Sequence, residues 1–198
     1  MQRLKFLTFL LWCFSMYSSY AQTCASTSSN YYEWPGHKNW FFAPNLWQGT
    51  VRNMQTGVNT TVGYVGLGVT SYEGTTAASD DQGNLLFYAN GRRMWRNTGG
   101  ATTLISGGLL TGNEGGTNTN GSASQGIITL RHPLDPENYY VFTVDCALDG
   151  TRGLNYFIYN SNTQVFSGPT RLGSSWTTTE GVAATRHSNG VDVWITVL

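Results

Sequence analysis

Charged residues are scarce in this sequence, and neither sign of charge is in excess. They make up 11% of the 198 residues, with 11 basic and 11 acidic side chains, whereas soluble domains average about 25%. Proteins that bind nucleic acid neutralise phosphates with an excess of Lys and Arg, so no nucleic-acid partner is expected. A charge-rich disordered chain is also excluded, because 40% of the residues are hydrophobic.

Cysteine and histidine are rare as well, with three of each. Cys13 lies within an apolar run near the N-terminus, which leaves Cys24 and Cys146 as a pair that an oxidising compartment would join in a disulfide. The alternative is two unpaired thiols. No second Cys or His lies at the spacing of metal ligands, and neither a metal site nor a cofactor is predicted.

Residues 1–21 have the pattern of a secretory signal peptide. Arg3 and Lys5 precede a short apolar run, and Ser19-Tyr20-Ala21 ends the segment, so cleavage is expected between Ala21 and Gln22. A transmembrane anchor is the weaker alternative, because the run is shorter than the roughly 20 residues that a bilayer requires. No later stretch of the sequence could span a membrane. We therefore expect a protein secreted through the periplasm, extracellular or at the cell surface.

Glycine and aromatic residues are plentiful, at 24 glycines and 14% aromatics, and they are arranged in repeats. Glu73–Tyr88 and Glu180–Ile195 both begin with Glu-Gly and have Gly ten residues later, before an apolar strand. A third copy, Gln125–Phe142, shares Arg-His with the last. Recurrence about every 50 residues is typical of repeat architectures such as propellers.

Each repeat predicts a β-hairpin, since a short strand meets a turn rich in Asp, Asn, Gly or Pro before a β-branched and aromatic strand returns. The predicted returning strands are Leu85–Tyr88, Tyr139–Val144 and Val191–Leu198, and further strands are expected at Leu154–Tyr159 and within Thr163–Leu172.

Several of these strands are almost continuously apolar, which indicates burial on both faces. Stacked propeller blades meet that requirement, and the alternative is a β-sandwich. The predicted fold is therefore all-β, with propeller-like (WD40-like) blades. Propellers need 4–8 blades to close, and the sequence contains only three of the repeats. It is therefore expected to be the N-terminal part of a longer protein. Its expected organisation is a signal peptide (1–21), a short segment (22–37) and a propeller-like domain (38–198).

Three strings carry a family resemblance: Gly83-Asn84-Leu85-Leu86-Phe87-Tyr88, Tyr139-Tyr140-Val141-Phe142-Thr143-Val144-Asp145, and Ala183-Ala184-Thr185-Arg186-His187-Ser188-Asn189-Gly190. Together they resemble the N-terminal propeller-like region of surface proteins from gliding, Bacteroidetes-type bacteria, and Asn39-Trp40-Phe41-Phe42 is similar to that family's opening strand. The resemblance implies type IX secretion, with a type B sorting domain, and the secretion machinery as a partner of the full-length protein. In two segments this sequence departs from the family: Pro44–Met54 is irregular, and Thr98–Asn120 is unusually rich in Gly, Thr and Asn.

No catalytic constellation is found among the polar residues. Glu73 and Glu180 occupy equivalent repeat positions, which favours carboxylates that accept backbone N–H bonds at strand entries. His132 and His187 are equivalent too, and with His37 they are expected to be turn or surface residues. The segment Ser79–Gly83 partly fits an Asp-box, a turn element, and is interpreted as a hairpin turn.

Two further features allow for a ligand. Asp80-Asp81 and Asp145 with Asp149 could offer oxygen ligands to Ca²⁺, but neither provides a full ligand set. The indole rings of Trp34, Trp40, Trp47 and Trp176 either pack in the core or remain exposed to bind sugars or partners.

The predicted function is a non-enzymatic adhesion or partner-binding module linked to gliding and type IX secretion, whose partner is a surface glycan or a protein. The alternatives are a carbohydrate-active enzyme or glycan-binding lectin on a propeller scaffold, and a purely structural spacer.

Overall fold

Thirteen β-strands and no helix form in the part of the chain that the structure describes. The structure is a computed structural model that describes residues 38–42, 48–63, 73–98, 101–110, 123–147, 152–173, 177–178, 180–189 and 191–198. In chain order the strands are β1 (Asn39–Phe42), β2 (Gln48–Asn53), β3 (Asn59–Gly63), β4 (Thr75–Ser79), β5 (Leu85–Asn90), β6 (Arg93–Thr98), β7 (Ala101–Leu109), β8 (Ile127–Arg131), β9 (Asn138–Thr143), β10 (Leu154–Asn160), β11 (Phe166–Leu172), β12 (Val182–Arg186) and β13 (Val193–Val197). The all-β prediction is confirmed.

The strands form four antiparallel sheets in which each strand pairs with the next along the chain. The first sheet contains β1–β3, the second β4–β7 and the third β8–β11, and β12 and β13 form a two-stranded hairpin. The three hairpins predicted from the repeats are confirmed as β4–β5, β8–β9 and β12–β13.

Local turn chemistry explains the first of these hairpins. The Asp80 carboxylate accepts hydrogen bonds from the backbone N–H groups of Gln82, at 2.9 Å, and Asn84, at 2.8 Å. Gly83 has φ of 88°, a conformation that costs glycine little and other residues more. The partial Asp-box is therefore a turn-stabilising element, as the sequence indicated.

The four sheets lie in series, with their first strands next to each other and with β7 also in contact with β3 and β11. Strand β1 contacts β4, β4 contacts β8, and β8 contacts β12. A parallel bridge joins Gln125 to Gly181, at the entries of β8 and β12. Consecutive first strands are thus neighbours, while the later strands of each sheet extend away from them.

Three apolar clusters fill the spaces between consecutive sheets, as the near-continuous apolar runs in β5 and β9 required. Phe41 and Val51 of the first sheet pack against Tyr88 and Trp95 of the second. The second and third sheets share a larger cluster: Ala78, Phe87, Ala89, Met94, Ile105, Leu110, Ile127, Tyr139, Val141, Phe157 and Tyr159. From Phe87 to Ala89 the side chains of β5 alternate between these two interfaces, so its burial on both faces is confirmed.

Strand β13, in contrast, is not buried on both faces, although its apolar sequence predicted that it would be. Val193, Ile195 and Val197 pack against the third sheet, but Trp194 is 60% exposed. The reason is that the outer face of the β12–β13 hairpin has no neighbouring sheet among the described residues.

The two segments in which the sequence departs from the family it resembles both contain strands. Strand β2 lies within Pro44–Met54, and β7 lies within Thr98–Asn120. The predicted signal peptide, its cleavage site at Ala21-Gln22 and the segment 22–37 lie outside the described residues. No helix in the described part of the chain is long and apolar enough to cross a bilayer.

Candidate functional site

An open groove of about 470 Å³ lies between the third sheet and the β12–β13 hairpin. It is lined by residues of β8 and β9 on one side, and of β13 and its turn on the other: Leu130, Arg131, Pro133, Tyr140, Phe142, His187, Asp192, Val193, Trp194 and Ile195. The groove continues the apolar interface that Leu130, Phe142 and Val182 form between the same two sheets.

Tyr140, on the floor of the groove, belongs to a group of contacting aromatic rings. The Tyr140 ring lies 5.2 Å from the His132 imidazole, nearly parallel to it, and 5.9 Å from the Tyr156 ring. Tyr140 and Tyr156 are both half-buried, so one surface of each remains accessible. Flat, partly exposed aromatic rings bind sugar rings or apolar side chains of a partner.

The rim of the groove carries polar groups that the hairpin turn holds in place. The Nδ1 atom of His187 accepts the Asn189 N–H at 3.2 Å, and the Asp192 carboxylate accepts the Asn189 side-chain amide at 2.6 Å. The His187 ring lies 5.5 Å from that of Trp194. These bonds orient the rim, and they leave Nε2 as the ring nitrogen of His187 that is available to a ligand.

The equivalent His132 makes the same contact in its own turn, where Nδ1 accepts the Leu134 N–H at 3.2 Å. The prediction of turn histidines is therefore confirmed for His132 and His187. His37 lies outside the described residues.

A second polar cluster joins three repeats at the entries of their first strands. The Ser124 hydroxyl lies 3.1 Å from the Glu73 carboxylate and 3.2 Å from that of Glu180. Glu180 also accepts N–H bonds from Ser124, at 3.0 Å, and from Ala147. The predicted role of Glu180, a carboxylate that accepts backbone N–H bonds at a strand entry, is confirmed.

Glu180 is held in a backbone conformation that few residues other than glycine adopt, with φ of 68°. The backbone N–H of Glu180 donates to the Asp145 backbone carbonyl, and the backbone carbonyl of Glu180 accepts from the Gln125 backbone N–H, both at 2.8 Å. The hydrogen bond from Ala147 and those from Ser124 lower the pKa of Glu180 below its ordinary value of 4.5 and outweigh its desolvation. The carboxylate thus ties the β12–β13 hairpin to the segments on either side of β8 and β9.

Glu180→Gln is expected to lower the free energy of unfolding by about 0.5–1 kcal/mol at pH 7, a modest value because the group is largely solvated. A carboxylate with a lowered folded pKa stabilises the protein above its unfolded pKa, and this contribution is lost as the pH falls through the folded value. The difference between wild type and variant should therefore shrink below about pH 4.5. Urea denaturation at a series of pH values measures it.

Glu137→Gln is the matched control, since the Glu137 carboxylate accepts from a single hydroxyl, that of Ser161, at 3.3 Å. A Glu180→Gln deficit that persists unchanged at pH 3 would contradict the assigned role.

The remaining candidate residues do not converge on one site. Asp145 is buried, and its carboxylate accepts a hydrogen bond from the backbone N–H of Arg152. Asp149 lies outside the described residues. Cys146 is buried while Cys24 is not among the described residues, so their disulfide stays a prediction. Trp40 is 46% exposed, and Trp34, Trp47 and Trp176 also fall outside the described part. Among the described residues no three His, Cys, Asp or Glu side chains are grouped to hold a metal ion.

The groove residues Tyr140 and Trp194 were assigned to strands by the sequence, but not to a site. They belong to different repeats, and only the packing of the β12–β13 hairpin on the third sheet brings them to one groove.

No family model, no curated protein and no solved structure matches this chain. The resemblance to gliding-associated surface proteins therefore stays a prediction.

Proposed function

We propose that this protein is a secreted, non-enzymatic module that binds a partner through the aromatic groove. The observation that carries the proposal is the groove itself, about 470 Å³ in volume and open to solvent. Its lining includes Tyr140 of the third sheet and Trp194, which borders the groove while its exposed ring lies towards the outer face of the hairpin. Binding pockets are typically concave, largely apolar and supplied with a few oriented polar groups. His187 and Asp192 supply such groups here.

Local hydrogen bonds favour binding over catalysis at this site. Nδ1 of His187 accepts the backbone N–H of Asn189, and the Asp192 carboxylate accepts the side-chain amide of Asn189. The turn therefore orients these two side chains, and they are not hydrogen-bonded to each other. A nucleophile and base in hydrogen-bond contact would be the arrangement expected of covalent catalysis.

The family resemblance adds the proposal that the module works at the surface of a gliding bacterium and is exported by type IX secretion. A β-propeller-like arrangement is proposed with it. The serial contacts of β1, β4, β8 and β12 and the parallel bridge at Gln125 support that arrangement, since blades pack side by side around a common axis. A crystal structure with these strands around one axis would support it, and two stacked layers would overturn it.

Trp194→Ala is expected to weaken partner binding by about tenfold or more, because exposed tryptophans often dominate binding energy. The purified protein would be screened on arrays of glycans and matrix proteins, and the affinity for each hit measured for wild type and variant. Trp40→Ala is the matched control, since Trp40 is also exposed but lies in the first sheet. Equal losses in the two variants, or none in Trp194→Ala, would refute the groove as the site, and an absence of hits would favour the spacer.

A carbohydrate-active enzyme is the second candidate, and one observation favours it. Glu73 and Glu180, from separate repeats, both contact the Ser124 hydroxyl, and paired carboxylates cleave glycosides. Against it, both oxygens of Glu180 already accept backbone N–H bonds, one from Ala147 and the other from Ser124, and its lowered pKa suits only the ionised member of such a pair. Hydrolysis of chromogenic glycosides that is lost in both Glu73→Gln and Glu180→Gln would favour the enzyme.

A further inference from the structure

We propose that the open edge of β13 and the groove beside it form one site that binds an extended polypeptide segment as an added β-strand. The inference rests on the proposed function and names its partner. The ligand is an uncharged segment with aromatic or branched aliphatic side chains at alternate positions.

The hydrogen-bond register identifies the free backbone groups of β13. The His187 amide donates to the Asp192 carbonyl at 2.8 Å, and the Leu198 amide donates to the Gly181 carbonyl at 3.1 Å. Because hydrogen-bonded pairs alternate in an antiparallel ladder, Trp194 and Thr196 direct their backbone groups towards β12.

The N–H and C=O groups of Val193, Ile195 and Val197 therefore point to the opposite edge. Within the described residues β13 pairs with β12 alone, and an edge of this kind is a template for another strand. The main chain of a bound strand would meet these three residues.

The groove provides the matching surface for side chains. Val193 and Ile195 face the third sheet, so a strand added beside β13 would direct alternate side chains to that same face. There it would meet the half-buried Tyr140, which lines the groove, and Tyr156 and Leu172, which belong to the apolar interface beside it. The site thus extends the existing apolar interface rather than creating a separate one.

The other sheets show which residues suit this position. In the second and third sheets a third strand, β6 or β10, pairs with the same edge of the second strand. Their side chains Met94, Trp95, Phe157 and Tyr159 are buried. The β13 edge is the equivalent place, which is why an aromatic or aliphatic strand is the expected ligand.

Charge at the site favours an uncharged segment. Strand β13 has no charged residue. At the rim, the charge of Arg131 is balanced by Asp81, and the Asp192 carboxylate is held in its own turn by a hydrogen bond from Asn189, so the one charge at the rim without an ionic partner in these contacts lies outside β13.

The test uses a synthetic peptide with the sequence of β10, Leu-Asn-Tyr-Phe-Ile-Tyr-Asn, flanked by lysines for solubility. Binding to the purified full chain is measured by fluorescence anisotropy. Two N-methylated versions carry the methyl groups at alternate residues, one on the positions of Asn155, Phe157 and Tyr159 and the other on those of Tyr156 and Ile158. Only one edge of the strand faces β13, so one version should bind at least about tenfold more weakly and the other nearly as well as the parent.

Amide hydrogen exchange gives a second readout on the protein. Bound peptide should slow exchange at Val193, Ile195 and Val197, and change exchange less at Trp194 and Thr196, whose amides already face β12. Failure of the peptide to bind, equal binding of both N-methylated versions, or uniform protection along β13 would overturn the proposal.

Two further outcomes separate this inference from others. If the peptide fails while array binding still depends on Trp194, strand addition is wrong and the groove remains a binding site. If the three edge amides are protected without peptide, increasingly at higher protein concentration, the edge belongs to a second copy of the chain and the proposal is overturned.

Discussion

Phe87→Ala is expected to lower the free energy of unfolding by about 3–5 kcal/mol. Phe87 is 0% exposed, and its ring makes edge-to-face contacts with Tyr139 at 5.1 Å and Tyr159 at 5.2 Å. The substitution removes apolar area from the interface between the second and third sheets, and it leaves a cavity that rigid β5 cannot close. Since domains are stable by only about 5–15 kcal/mol, this is a large fraction of the total.

Urea denaturation followed by tryptophan fluorescence and near-ultraviolet circular dichroism would measure the effect. Leu134→Ala is the control, because Leu134 is 83% exposed in the turn between β8 and β9, and its loss should be within about 0.5 kcal/mol. Phe87→Leu retains most of the volume and should cost less than Phe87→Ala. A loss below about 1 kcal/mol for Phe87→Ala would show that the two sheets do not depend on each other in the way the packing indicates.

The sequence predicted the repeated hairpins because their signals are local. Asp80 and Gly83 define a turn by their own chemistry, and the residues that follow are typical of strands. The positions of β2 and β6 were not predicted. Strand β6 places Arg93, Met94, Trp95 and Arg96 in succession, without alternation, and it is a strand because β5 and β7 pair with it on either side.

The candidate site was accessible to sequence reasoning only in part. The recurrence of Glu180 and of His187 indicated structural roles that their hydrogen bonds confirm. Trp194, in contrast, is the counterpart of the buried Phe87 by position in the repeat, so the sequence predicted burial. Its exposure depends on which surface faces it in the folded chain, and no local pattern contains that information.

Substitution of Gly74, the repeated glycine that follows Glu73, is expected to have the second large effect on stability. The reason is that the entries to the first strands β4 and β8 approach each other closely here. A Cβ atom on Gly74 would lie 2.7 Å from the Gly126 amide nitrogen and 3.2 Å from the Ala123 carbonyl oxygen. Both are backbone atoms at the entry of the next repeat, and the Gly74 amide donates to that same Ala123 carbonyl at 3.3 Å. Gly74→Ala is therefore expected to lower the free energy of unfolding by about 2–3 kcal/mol, since the second and third sheets would have to separate locally.

Gly181→Ala is a control from within the repeat itself. Gly181 occupies the equivalent position, but its added Cβ would meet the Leu198 side chain, at 2.9 Å, and Leu198 is 79% exposed and free to rotate away. Neither glycine has a φ in the left-handed region. Both substitutions should therefore add the same stabilisation of about 0.4–1 kcal/mol, because alanine restricts the conformations of the unfolded chain. Gly181→Ala should be nearly neutral in urea denaturation, and the difference between the two variants isolates the clash. Equal stabilities would mean that the first strands of the second and third sheets are not in close backbone contact, and the serial arrangement of the sheets would lose its main support.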